Sequence, residues 1–282
     1  MKTALLFAGQ GTQIGSMAIE LYQSSSAAKT VFDRVKEIEP SIVELCFCGD
    51  QVELSKTKNA QPTLYVVALA HAYDWMECNN MPDFVAGFSL GEIPALVFCG
   101  ALSIENGLNL VIHRAKLMHE CAENREGGMA AVIGLSSCQV QQIVSEVDSL
   151  WCANFNSPLQ TVIAGDNASI DKAKERVFEL KGKLIKLNVS GAFHTPFMQE
   201  AADKFLLYLN DVKFEKLHTP LYSNVDAKLY SQKQIKQRLA KQIMSPVKWS
   251  EIIVDLNKKG VTQYKEVGAG SVLTGLLSKI LV

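Results

Sequence analysis

The 282-residue chain predicts an α/β protein, a large parallel-sheet body into which a smaller α+β subdomain is inserted. Two observations predict it. Strand-like apolar runs alternate with helix-like stretches at both ends of the chain, as in a parallel sheet covered by helices on both faces. From residue 126 to residue 195 that alternation gives way to closely spaced short strands and one helix. Residues 1–125 and 196–282 are therefore assigned to the body and residues 126–195 to the subdomain. No internal repeat is present.

The elements follow in order. "TALLFA" reads as a short buried strand, "GQGTQ" as a turn, and "MAIELYQ" as the end of a helix. "QPTLYVVALAHAYDWM" has helical periodicity, "DFVAGF" is strand-like, and "SLGEIPALVFCGAL" resumes as helix. In "LSIENGLNLVIHRAKLMHECA" the apolar residues Ile104, Leu108, Val111, Ala115 and Met118 form one helical stripe, with Ser103 as N-cap. "MAAVIGL", "LWCANFNS", "LQTVIAG" and "KLIKLNVS" are the subdomain's strands, and "ASIDKAKERVFELKG" is its helix. "YKEVGAGSVLTGLLSKILV" is a strand, a Gly-rich turn and a terminal apolar helix.

Composition narrows the function classes. A net charge of −1 without a basic run gives no footprint for nucleic acid. The seven cysteines are odd in number and form no C-x-x-C, so a reducing compartment is expected. The N-terminal apolar run is too short for a signal-peptide core, and none approaches the roughly 18 residues of a membrane span. The cytoplasm is the expected location. No H-E-x-x-H, paired C-x-x-C or acidic cluster suggests a metal site.

The chemistry is carried by "GFSLGE", a G-x-S-x-G run after a strand. A nucleophile elbow needs small residues on both sides of the serine because the backbone turns so sharply there, and Gly87 and Gly91 meet that need. An ordinary Gly-rich turn is the competing reading. A serine nucleophile needs a base, usually histidine. Of the five histidines, His71 lies in an apolar helix, His119 and His218 in polar surroundings, and His113 points away from the helical stripe toward solvent. His194, in "SGAFHTPFM", sits where the subdomain rejoins the body and is the candidate base. Arg114, at the stripe edge, either snorkels to the surface or turns into a cleft as a carboxylate clamp. "AGQGTQ" lacks the third glycine of a dinucleotide fingerprint and the lysine of a P-loop. Its Gln10 can reach the carboxyl end of the sheet.

The set "FAGQGTQ", "GFSLGE", "IHRAKLM", "AFHTPF", "SNVDA", "SPVKW" and "EVGAGSVLTGLL" resembles, in order and spacing and nearly end to end, the malonyl-CoA:acyl-carrier-protein transacylases. That family includes the transacylases of fatty-acid synthesis and the discrete acyltransferases of polyketide synthases. The resemblance implies an α/β-hydrolase-like parallel-sheet body with a ferredoxin-like α+β insert. It implies Ser89 as nucleophile, His194 as general base, Arg114 as the malonyl-carboxylate ligand, and Gln10 with the Leu90 N–H as oxyanion donors. The carbonyl of Lys248 would orient the histidine. Malonyl-CoA and the phosphopantetheine of an acyl carrier protein would be substrates, with no permanent cofactor, metal, nucleic acid or membrane, and a monomer is expected. Asn156, Gln61 and the terminal "GAG" match family positions without an assigned role.

Three residues depart from the family pattern. Phe88 replaces the histidine that usually precedes the serine, Pro94 stands early in the elbow helix, and Ala115 replaces a glycine after the arginine. Two alternatives stand beside the transferase reading. One is an acyl-thioester hydrolase or serine esterase, for which Asp166 or Asp171 would supply the triad acid. The other is a non-catalytic protein that docks carrier proteins.

Overall fold

A computed structural model describes residues 1–11, 18–189 and 191–281. Its strands are β1 (Lys2–Phe7), β2 (Phe84–Gly87), β3 (Gly128–Ile133), β4 (Leu150–Ser157), β5 (Gln160–Gly165), β6 (Lys183–Lys186), β7 (Leu221–Tyr222) and β8 (Val261–Val267). They form two sheets. One is ordered β7-β2-β1-β8 with every pair parallel, and the other is ordered β4-β5-β3-β6 with every pair antiparallel.

The central strand β1 shows why its sequence is apolar without alternation. Leu5 and Phe7 enter one core, whereas Ala4 and Leu6 face a second core on the opposite side. Helices cover both faces, so both sets of side chains are buried. The helix Thr57–Glu77 lies in the first core and is buried over most of its middle. The helices Trp249–Lys258 and Val272–Ile280 supply the second.

The antiparallel sheet has the chain order β-α-β-β-α-β, a ferredoxin-like arrangement. Its strands do alternate. Ala130 and Val132 pack with the sheet's own helices, whereas Met129 and Ala131 join the core of the body. One sheet face thus rests on the site-bearing half of the molecule. A main-chain link adds to this: Phe155 N–H donates to the Val247 carbonyl at 2.9 Å and Val247 N–H to the Ala153 carbonyl at 2.9 Å.

The subdomain contains two helices, Ser137–Ser145 and Asn167–Glu179, where the sequence reading expected one. The first has only nine residues and buries just Val140 and Ile143. Its stability comes from its start, a capping box in which Ser136 and Gln139 satisfy each other's main-chain N–H groups. The run S-x-x-Q was the available signal. The strand read from "KLIKLNVS" ends at Lys186, and its Ser190 lies outside the described residues. The same holds for Thr12 and Gln13 of the first turn, Met17 of the first helix and Val282 of the last.

Candidate active site

Ser89 lies one residue beyond β2, after Phe88, in a 3-10 turn (Ser89–Gly91) that leads into the helix Glu92–Phe98. It is held at φ 51°, in the left-handed region that a non-glycine residue seldom occupies. The flanking glycines are required by contact. A Cβ on Gly87 would lie 2.1 Å from the Gly91 carbonyl carbon, and one on Gly91 would lie 2.3 Å from the Phe7 carbonyl oxygen. The strand, the turn and the neighbouring strand β1 approach too closely for any side chain. Pro94 falls in the first turn of the helix, where its missing N–H costs little. The sharp turn is therefore the elbow, not a loose Gly-rich loop.

His194 is buried, and its Nε2 stands 2.8 Å from Ser89 Oγ. On its other side Nδ1 faces two main-chain carbonyls, Gln242 at 2.9 Å and Ser245 at 3.2 Å. A carbonyl only accepts, so Nδ1 carries the hydrogen and Nε2 presents its lone pair to the serine hydroxyl. Gln242 is the last residue of the helix Ile235–Gln242, an end where carbonyls lack helical partners and the dipole is negative. This end can stabilise the imidazolium that forms when His194 takes a proton. Burial, and after it the charge of Arg114, pushes the imidazole pKa down to about 4, so the imidazole is neutral at neutral pH.

The expectation for Lys248 does not hold. Its carbonyl accepts from the Ile252 N–H at 3.2 Å as the helix Trp249–Lys258 begins, and its N–H donates to the Asn224 carbonyl. The orienting carbonyls belong to Gln242 and Ser245, on the preceding helix end and turn. The triad acid sought for a hydrolase is likewise absent among the described residues. Asp171 pairs with Lys186 on the surface, and Asp166 precedes the helix Asn167–Glu179.

Arg114 does not snorkel. It is 2% exposed, and Nη1 donates to Gln61 Oε1 at 2.6 Å while Nη2 donates to Gln242 Oε1 at 2.8 Å and approaches Ser89 Oγ at 3.4 Å. Burial lowers its pKa to about 10, which still leaves a cation. Its partners among the described residues are neutral amides and a hydroxyl. His113, expected in solvent, is half-buried and stacks on Tyr208 with ring centroids 4.1 Å apart.

Ser89, His194, Arg114, Gln10, Leu90 and Asn156 all border one cleft of about 430 Å³ between the body and the antiparallel sheet. The Leu90 N–H belongs to the opening turn, where main-chain donors lack helical acceptors. The Ser89 N–H is already bound, to Asn224 Oδ1 at 2.7 Å. Phe88 also borders the cleft, with its ring edge-on to Trp249 at 5.4 Å.

Sequence reasoning gave no role to Glu92, Asn224 or Gln242, although two of them lie inside quoted motifs, "GFSLGE" and "SNVDA". Glu92 is fully buried; burial raises its carboxyl pKa, while the Asn224 N–H, the Tyr230 hydroxyl and the Gln242 amide, all donating to it, favour the ionised form. Among the described residues no cluster of His, Cys, Asp and Glu could hold a metal ion, and no helix is long and apolar enough to cross a membrane.

A serine on a sharp strand-to-helix turn, a histidine within hydrogen-bond reach of it, an arginine beside it and an adjoining cleft lie in a chain whose residues 4–280 match the acyl transferase domain model. The chain belongs to the acyl transferase domain family. Among similar members, the malonyl CoA-acyl carrier protein transacylase of Bacillus subtilis is 39% identical, covering 99% of this chain and 90% of that protein. The polyketide biosynthesis malonyl CoA-acyl carrier protein transacylase PksC of the same organism is 41% identical, covering 98% and 96%. Among solved acyl transferases, a malonyl-transacylase in complex with its type II polyketide-synthase acyl-carrier protein superposes with a TM-score of 0.95. It is 33% identical and covers 100% of this chain and 93% of that one.

Proposed function

We propose that this acyl transferase moves a malonyl group from coenzyme A to the phosphopantetheine thiol of an acyl carrier protein, through an ester on Ser89, in fatty-acid or polyketide biosynthesis. The observation that carries the reading is Arg114, a buried cation 3.4 Å from the nucleophile whose partners are neutral. An acyl group esterified to Ser89 and bearing its own carboxylate would complete that charge through a charge-assisted pair. An acetyl group would leave the arginine as it is. The comparison with a carrier-protein complex and with curated malonyl transacylases supports the same donor and acceptor.

In the first half-reaction His194 Nε2 takes the Ser89 proton as Oγ attacks the thioester carbonyl. Charge develops on the carbonyl oxygen, where the Leu90 N–H and Gln10 serve as donors. The imidazolium, steadied by the helix-end carbonyl of Gln242, returns its proton to the departing thiolate of coenzyme A. In the second half-reaction the carrier's thiol enters, gives its proton to His194 and attacks the malonyl-serine ester. Collapse returns the proton to Ser89. The reading is tested by incubating the protein with malonyl-CoA or acetyl-CoA and weighing it intact: a malonyl adduct, lost in Ser89→Ala, supports it, and an equal acetyl adduct contradicts the role of Arg114.

A further inference from the structure

Glu92 opens the elbow helix, is fully buried, and takes no part in the transfer steps. Its two oxygens gather three donors from two other parts of the chain. The Asn224 N–H donates to Oε1 at 2.5 Å, whereas the Gln242 side-chain amide at 2.5 Å and the Tyr230 hydroxyl at 3.1 Å donate to Oε2.

Two of those donors continue to the reacting groups. Asn224 Oδ1 accepts the Ser89 N–H, and its Nδ2 donates to the Gly87 carbonyl at 2.7 Å. The Gln242 amide donates to the Ser89 carbonyl at 2.7 Å, its Oε1 accepts from Arg114, and its main-chain carbonyl accepts from His194. The N–H and C=O of Ser89, the cation and the base thus converge on one carboxyl group. A left-handed serine persists only where its surroundings over-determine it, and this network supplies that constraint.

We propose that Glu92 is a positioning residue, which by holding Asn224 and Gln242 keeps Ser89 in its left-handed conformation and in line with His194. The proposal rests on the reading of Ser89 as the acylated nucleophile. Glu92→Gln preserves the shape but replaces one acceptor oxygen with an NH₂ group, which then faces another donor.

The test is the rate at which a fluorophosphonate labels Ser89, a reaction that uses the nucleophile and its base but no particular acyl group. We compare wild type, Glu92→Gln, Gln242→Leu and the double variant. Glu92→Gln is expected to slow labelling at saturating probe about tenfold or more, with the half-saturating concentration changed less than about threefold. The double variant should lose less than the product of the two single losses, because the Gln242 route is shared by both changes while the Asn224 route answers to Glu92 alone. A Glu92→Gln protein that labels within about twofold of wild type, or losses that multiply in the double variant, overturns the proposal.

If Glu92→Gln does not fold, Tyr230→Phe decides, since the Tyr230 hydroxyl donates to Glu92 Oε2 at 3.1 Å. It should slow labelling about threefold, and an unchanged rate overturns the proposal. A wild-type Ser89 that accepts the fluorophosphonate but no malonyl group would instead count against the transfer reading alone.

Discussion

The hydroxyl of Ser89 stands 2.8 Å from Nε2 of His194, although the two residues are 105 positions apart and the whole antiparallel sheet lies between them in the chain. The imidazole is fixed on its far side by the Gln242 and Ser245 carbonyls, in the place where many hydrolases put an acid. Removing either partner ends the proton transfer. Ser89→Ala and His194→Ala should each lower malonyl transfer by about a thousandfold or more. Steady-state assay of the purified, folded variants measures this.

Arg114 gives the second prediction. Arg114→Met keeps most of the volume and removes the charge, so kcat/KM for malonyl-CoA should fall by an amount equivalent to about 2–5 kcal/mol. Acetyl-CoA should lose far less. Competition between the two thioesters, read from the masses of the acyl-enzymes, reports the ratio directly, and an unchanged malonyl preference would remove Arg114 from this role.

The pH dependence follows from the environment of His194. The neutral imidazole is the active form, and burial with the nearby Arg114 charge lowers its pKa to about 4. Below an ordinary histidine pKa of about 6.5 the base therefore stays neutral, and activity falls only as the pH drops through about 4. Single-turnover acylation at about pH 5.5 should match the neutral rate within about twofold. A limb centred near 6.5 contradicts this.

The elbow glycines give a stability prediction. A methyl group at Gly87 or Gly91 would meet main-chain atoms 2.1 or 2.3 Å away, and these cannot move without shifting β1 or the helix start. Gly87→Ala or Gly91→Ala should cost about 2 kcal/mol or more, visible as a lower unfolding midpoint in denaturant.

Phe88 stands in the family's histidine position, but its ring is edge-on to Trp249 and lies outside the proton path. Phe88→His should leave acyl transfer working and lose about 0.5–1.5 kcal/mol of stability with the aromatic contact. Loss of all activity would make Phe88 part of the acyl pocket.

Local pattern was enough to read the main strands and the helices Thr57–Glu77 and Ile104–Asn124, because burial on both faces and helical periodicity are written in neighbouring residues, but at residues 87–91 it left an ordinary Gly-rich turn open beside the elbow. The helix Ser137–Ser145 was missed because it buries only two side chains and depends on its cap. Ser89, His194 and Arg114 were legible as types near the right elements, and the resemblance supplied their pairing. Lys248 was misassigned, and Gln242 overlooked, for one reason: the histidine is oriented by main-chain carbonyls, which every residue has. Glu92 and Asn224 were hidden because their partners come from distant segments of the chain.

The most direct test of the central claim is intact-protein mass spectrometry in two steps, with malonyl-CoA first and holo acyl carrier protein second. A malonyl adduct on Ser89 that disappears as the carrier gains the same mass is the predicted result. An adduct that decays to free malonate while the carrier stays unmodified would contradict it and make the protein a hydrolase.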